Sequence, residues 1–180
     1  VCYINSALIP NEDIVNAIPL LRPIPGRFQF LSNDLGFKVV IDYAHTPKAL
    51  EQAIRSLRPY FEGFLTTVFG CGGDRDKNKR SEMGRVACEA SDRVIITSDN
   101  PRHESPERIL DDIELGVFGN TCRILDRAEA IFSAINQAEI GDCVLIAGKG
   151  HEEVQIFDDL ELRFSDFECA REALNQRCSK

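Results

Sequence analysis

Four short stretches of this 180-residue chain concentrate glycine, histidine and charge in patterns able to do chemistry. They are Asp42-Tyr43-Ala44-His45-Thr46-Pro47, the run from Gly70 to Arg80, Asp99-Asn100-Pro101-Arg102-His103-Glu104, and Gly148-Lys149-Gly150-His151-Glu152. The second sets Arg75, Lys77, Lys79 and Arg80 against two aspartates, a basic loop in an acidic protein. Cations at a helix start oppose the helix dipole unless an anion visits, so this loop is a candidate anion site. Arg102 adds a second guanidinium, a planar fork suited to a carboxylate or phosphate.

Each stretch also has a plain structural reading. Asp42 can cap the turn that follows it, and His45 can be a satisfied surface histidine. Gly70, Gly72 and Gly73 can supply positive φ, with the basic run after them a solvated helix start. Asp99-Asn100-Pro101 is a good turn sequence, and Ser105-Pro106 starts a helix. Gly148-Lys149-Gly150 looks like a phosphate loop but lacks the GxxxxGK[ST] spacing. A metal site on His45, His103 and His151 has no i, i+4 pair or CxxC beside it, so no metal ligand is assigned.

The elements that must position these loops alternate. Strand candidates are Lys38 to Tyr43, Phe64 to Phe69, Arg93 to Thr97, Cys122 to Leu125 and Cys143 to Ala147. Between them, Leu50, Ala53, Ile54 and Leu57 share one helical face, as do Ile109, Leu110 and Ile113, and Ala128, Ile131, Phe132 and Ile135. Thr46 and Ser105 are N-cap candidates, each followed by proline, and Asp126 is followed by Glu129. Val154 to Phe157 and Leu160 to Phe164 form an antiparallel pair before a last helix from Asp166. This order predicts an α/β fold: a Rossmann-like, mostly parallel sheet with helices on both faces and an antiparallel edge near the C-terminus. Ligands in such folds bind beyond the C-terminal ends of the strands, where all four loops fall.

Composition narrows the partners. A net charge of −8 argues against nucleic acid, and no apolar run nears the roughly 20 residues of a membrane helix. Seven widely spaced cysteines without a CxxC pair fit reduced thiols in the cytoplasm. Val1 in place of Met reads as a cut chain, and no basic stretch followed by an apolar one opens it. A helical piece from Glu12 to Leu21 leads to a Pro23-Ile24-Pro25-Gly26 hinge, which predicts a boundary there. From the residues alone, the reading is an anion-binding cleft containing Arg75 and Arg102. It belongs either to a ligase or transferase domain or to a non-catalytic nucleotide- or metabolite-binding module.

Pro25-Gly26-Arg27-Phe28 and the four loops occur in an order that resembles the Mur ligases, specifically the UDP-N-acetylmuramoyl-tripeptide synthetases that add the third peptide residue. The resemblance runs from Pro23 to the end and makes residues 1–22 look like the tail of a central ATPase domain. Folylpolyglutamate synthetases share the fold and a similar Asp-x-Ala-His loop, but do not usually combine it with Asp-Asn-Pro-Arg and Gly-Lys-Gly-His-Glu. The resemblance implies an ATP-dependent amide-bond ligase that adds meso-diaminopimelate to a UDP-MurNAc-dipeptide through an acyl phosphate. It implies that Arg75, Asp99, Asn100, Pro101, Arg102, Gly148 and Glu152 bind diaminopimelate, and that Arg27, Asp42 and His45 meet ATP. ATP and Mg2+ would be bound mainly by other domains of the same chain, and no catalytic residue is assigned here.

Overall fold

A computed structural model of the protein describes residues 24–179, together with Glu12, Asp13 and Asn16, which are helical. The rest of the expected Glu12–Leu21 piece, and Pro23 of the hinge, lie outside the described residues. In chain order the elements are β1 (Gln29–Leu31), β2 (Lys38–Asp42), α1 (Pro47–Leu57), β3 (Leu65–Phe69), α2 (Asn78–Ala90), β4 (Arg93–Ile96) and α3 (Pro106–Glu114). There follow β5 (Thr121–Arg123), α4 (Arg127–Gln137), β6 (Cys143–Ala147), β7 (Val154–Phe157), β8 (Leu160–Arg163) and α5 (Asp166–Cys178).

Six strands form one sheet in the order β1-β2-β6-β3-β4-β5, parallel throughout except for β1. Unbroken apolar runs such as Val39-Val40-Ile41 are stable as strands because both faces are covered. Val40, Leu65, Phe69 and Leu145 pack with Leu50, Ile54, Met83 and Ile109 on the side of α1, α2 and α3. Val39, Ile41, Val68 and Val144 turn the other way, toward Ile131, Ile135, Ala170 and Leu174 of α4 and α5. Capping follows the sequence: Thr46, Ser105, Asp126 and Ser165 each accept a backbone N–H from three residues on.

Three features differ from expectation or refine it. β1 was not foreseen, because three residues carry too little alternation to signal a strand. The antiparallel pair β7–β8 is a separate two-stranded ribbon, and the antiparallel edge of the main sheet is β1. The alternative reading of the basic run as a solvated helix start does not hold for Arg80 of α2, which is buried. Its guanidinium bonds to Glu104 at 2.9 Å and to Asp112 at 2.8 Å, so α2 buries a cation on its inner face beside Met83 and Ala87.

None of the helices among the described residues is long and apolar enough to cross a membrane. The six cysteines among the described residues are free thiols. Burial pushes Cys71, Cys143 and Cys169 up to about 12, so these thiols stay protonated and unreactive at neutral pH.

Below the loops lies a wholly buried ion pair. Arg127, first residue of α4, meets Asp166 of α5 through Nε–Oδ1 at 2.7 Å and NH2–Oδ2 at 2.8 Å. Its remaining donors reach the carbonyls of Ser98 at 3.3 Å and Ala147 at 3.0 Å. Removing one partner of such a pair strands the other in an apolar interior. Asp166→Ala is therefore expected to lower unfolding free energy by about 3–5 kcal/mol, measured by urea denaturation. A loss under about 1 kcal/mol, within the range of exposed pairs, would show that Arg127 is satisfied without it.

Candidate functional site: a mixed-charge cleft at the strand ends

Strands β2, β3, β4 and β6 end on one side, and the loops after them enclose a cleft of about 430 Å³. Among its lining residues are Tyr43, His45, Arg75, Lys79, Asp99, Asn100, Arg102, Gly148 and Glu152. Six of the seven residues expected at an amino acid thus line one space. Pro101 is buried behind them, and its carbonyl accepts from Glu104 N–H at 3.1 Å.

The loops are joined by bonds that leave particular groups free. Arg102 NH1 donates to Gly73 O at 2.9 Å and Asn100 O at 3.3 Å, while NH2 and Nε have no partner among the described residues. Its backbone is clamped to the ribbon: its N–H donates to Ile156 O at 3.0 Å, and its carbonyl accepts from Asp158 N–H at 2.8 Å. Arg102 holds φ 52°, a left-handed conformation that costs a non-glycine residue energy and persists only where surroundings impose it. Gly70, Gly72 and Gly73 do not adopt positive φ, contrary to the simplest reading of them. Gly73 is required by close approach: a Cβ there would lie 1.8 Å from the Pro101 carbonyl oxygen.

The three residues expected at a nucleotide are placed differently from one another. His45 lines the cleft, its Nδ1 2.8 Å from Tyr43 O. Arg27 is exposed, with its guanidinium 4.3 Å over the Tyr43 ring. Asp42 lies beneath, accepting Ala44 N–H at 2.9 Å and Phe28 N–H at 3.0 Å, so its carboxylate organises backbone at the turn. The histidines do not converge: His45 and His151 flank Tyr43, and His103 Nδ1 lies 2.8 Å from Asp74. Among the described residues no group of three His, Cys, Asp or Glu side chains is arranged to hold a metal ion.

A family model for the Mur ligase glutamate ligase domain matches residues 26–150. The chain belongs to the Mur ligase family. It is 48% identical over 173 residues to a protein of Thermosynechococcus vestitus, covering 94% of this chain and 35% of that one. It is 47% identical over 169 residues to one of Coxiella burnetii, covering 92% and 34%. Both relatives are named UDP-N-acetylmuramoyl-L-alanyl-D-glutamate--2,6-diaminopimelate ligase. This Mur ligase chain spans about a third of the length of the curated relatives it matches. A solved structure bearing the same ligase name superposes with TM-score 0.82 at 40% identity, over 96% of this chain and 36% of that one. A folylpolyglutamate synthase from Thermotoga maritima superposes with TM-score 0.55 at 27% identity, over 78% and 31%, a more distant likeness.

Within this Mur ligase chain the cations of the second loop divide by role. Lys77 pairs with Glu104 at 2.9 Å, Arg80 is committed below, and Lys79 donates to His45 O at 2.9 Å. Among the described residues Arg75 makes one hydrogen bond, 3.2 Å to the neighbouring Asp74 carbonyl, and it lines the cleft. Tyr43, Thr46, Cys71, Gly72, Asp76 and Lys79 also line the cleft, although none was singled out individually as a site residue. Membership of the same four loops was their only signal. Hydrogen bonds from Arg80 and then Lys77 hold the Glu104 carboxyl down at about 2. A carboxylate depressed in the fold contributes stability above its unfolded pKa and loses it as pH falls toward the folded value. The destabilisation caused by Glu104→Gln is therefore expected to be full above about pH 5 and to shrink steadily toward pH 2. Urea unfolding of both proteins at several pH values checks this, and a difference independent of pH refutes it.

Proposed function

We propose that this chain is the amino-acid-binding domain of an ATP-dependent ligase that adds meso-diaminopimelate to UDP-MurNAc-L-Ala-D-Glu in cytoplasmic peptidoglycan synthesis. The observation that carries this reading is the convergence of two partly free guanidiniums, Arg75 and Arg102, with two carboxylates, Asp99 and Glu152, in one cleft. Diaminopimelate differs from lysine by a carboxylate at its far end, which a guanidinium fork binds bidentately. Glu152 and Asp99 suit the adjacent ammonium. The names of the relatives agree with this substrate.

In such a ligase the D-glutamyl carboxylate attacks the terminal phosphorus of ATP, releasing ADP and forming an acyl phosphate. The unprotonated amine of diaminopimelate then attacks the acyl carbon, phosphate leaves, and the nitrogen sheds a proton. The work of this domain is to hold the amine in line, a contribution of positioning more than of acid–base chemistry. Arg27 and His45 both pack on Tyr43, which lines the cleft, and they would face the nucleotide once the domains close. Asp42 supports them by holding the turn. In this reading Mg2+ and most of ATP would be held by the central ATPase domain of the same ligase, with residues 1–22 as the tail of that domain.

Arg102 gives the direct test. In the full-length ligase Arg102→Ala is expected to lower kcat/KM for diaminopimelate by about 10²–10³-fold, the equivalent of roughly 3–5 kcal/mol from a stranded carboxylate. Arg102→Lys does not rescue it, because an ammonium lacks the planar fork. Lysine has no distal carboxylate, so its poor use falls far less and the ratio of specificity constants collapses. An unchanged ratio with a lowered melting temperature would mean that Arg102 only holds Gly73 and Asn100. This chain by itself is expected to release no phosphate from ATP, since it carries no Walker A spacing.

A further inference from the structure

Lys149 stands in the middle of the Gly148–Glu152 loop yet does not line the cleft, and it is wholly buried. Its ammonium donates to Asn100 Oδ1 at 2.9 Å and to Glu152 Oε2 at 3.1 Å. Asn100 Oδ1 also accepts from Ile156 N–H at 3.1 Å, and Asn100 Nδ2 donates to the same Glu152 oxygen at 2.9 Å. An amide oxygen has two lone pairs, and both are taken here. Two donors face that oxygen, so the amide cannot flip without setting N–H against N–H. Asn100 is left with one N–H to give and nothing to accept with. Glu152 keeps Oε1 without a partner among the described residues.

We infer that Lys149 is a positioning residue for the amino-acid subsite, a deepening that rests on the ligase reading. It touches no substrate. It sets Asn100 as a pure donor and ties down one oxygen of Glu152. The cleft then presents one N–H and one free carboxylate oxygen side by side, matched to the carboxylate and ammonium of a zwitterionic amino acid. A lysine that merely filled the loop would affect folding and every substrate alike.

The test uses full-length ligase whose wild type first shows diaminopimelate-dependent ligation; failure at that stage would tell against the ligase reading and not against Lys149. Lys149→Met is expected to raise KM for diaminopimelate about fivefold or more, with KM for ATP changed less than about twofold. Because Lys149 acts partly through Asn100, adding Lys149→Met to Asn100→Ala raises KM by a clearly smaller factor than Lys149→Met does in the wild type. Should Lys149→Met fail to fold, Lys149→Gln decides. Its amide is one bond shorter and uncharged, so it cannot hold Asn100 Oδ1 and Glu152 Oε2 together, while it still supplies a polar donor to the loop. The same rise of about fivefold or more in KM for diaminopimelate is expected. A smaller rise, an equal rise for ATP, or additive effects in the double variant would overturn the assignment.

Discussion

The buried guanidinium of Arg127 is the constraint on which the site geometry rests. Strands β4 and β6 are not neighbours, since β3 lies between them, yet Arg127 holds carbonyls at the ends of both. Ser98 and Ala147 immediately precede Asp99 and Gly148, where two of the four loops begin. A charge buried this completely tolerates little displacement, because each lost bond leaves it undersolvated. Asp166 supplies the countercharge from α5, so the last helix of the chain is tied to the floor of the cleft. Packing of α5 and shape of the site are thereby one problem.

Above that floor the loops are fastened by a second set of bonds. Arg80 and Lys77 hold Glu104, Asp42 holds the turn at Phe28 and Ala44, and Lys149 holds Asn100 and Glu152. What these bonds leave free defines the chemistry: Arg75, two arms of Arg102, one oxygen of Glu152 and one N–H of Asn100. The β7–β8 ribbon contributes by gripping Arg102 through its backbone in a left-handed conformation. A guanidinium aimed by its main chain loses less freedom on binding than one on a loose loop, which is how preorganisation favours affinity.

Much of this was legible in order and type. Period-3.6 faces gave α1, α3 and α4, apolar runs gave the five parallel strands, and Ser, Thr and Asp caps marked where helices begin. The loops carrying Arg75, Asp99, Arg102 and Glu152 stood out because glycine, charge and histidine cluster there. β1 escaped, being only three residues long, and α2 was obscured by an arginine on its buried face.

By itself the sequence determined the alternation of elements, and with it the edge of the sheet on which four unusual loops gather, because hydrophobic period and capping are local properties of the chain. Tertiary structure decided which charged residue serves which end. Lys149 and Lys79 share a type, as do Arg80, Arg127 and Arg102, but burial and partners separate them. Asp42, Asp166 and Glu152 differ in the same way: the first binds backbone, the second an arginine in the core, and the third keeps an oxygen toward the cleft. The physical reason is that a charged group's role depends on its desolvation and on the partners around it. Both are set by segments 14 to 52 residues away, such as Phe28 to Asp42 and Asn100 to Glu152, brought together only when the sheet forms.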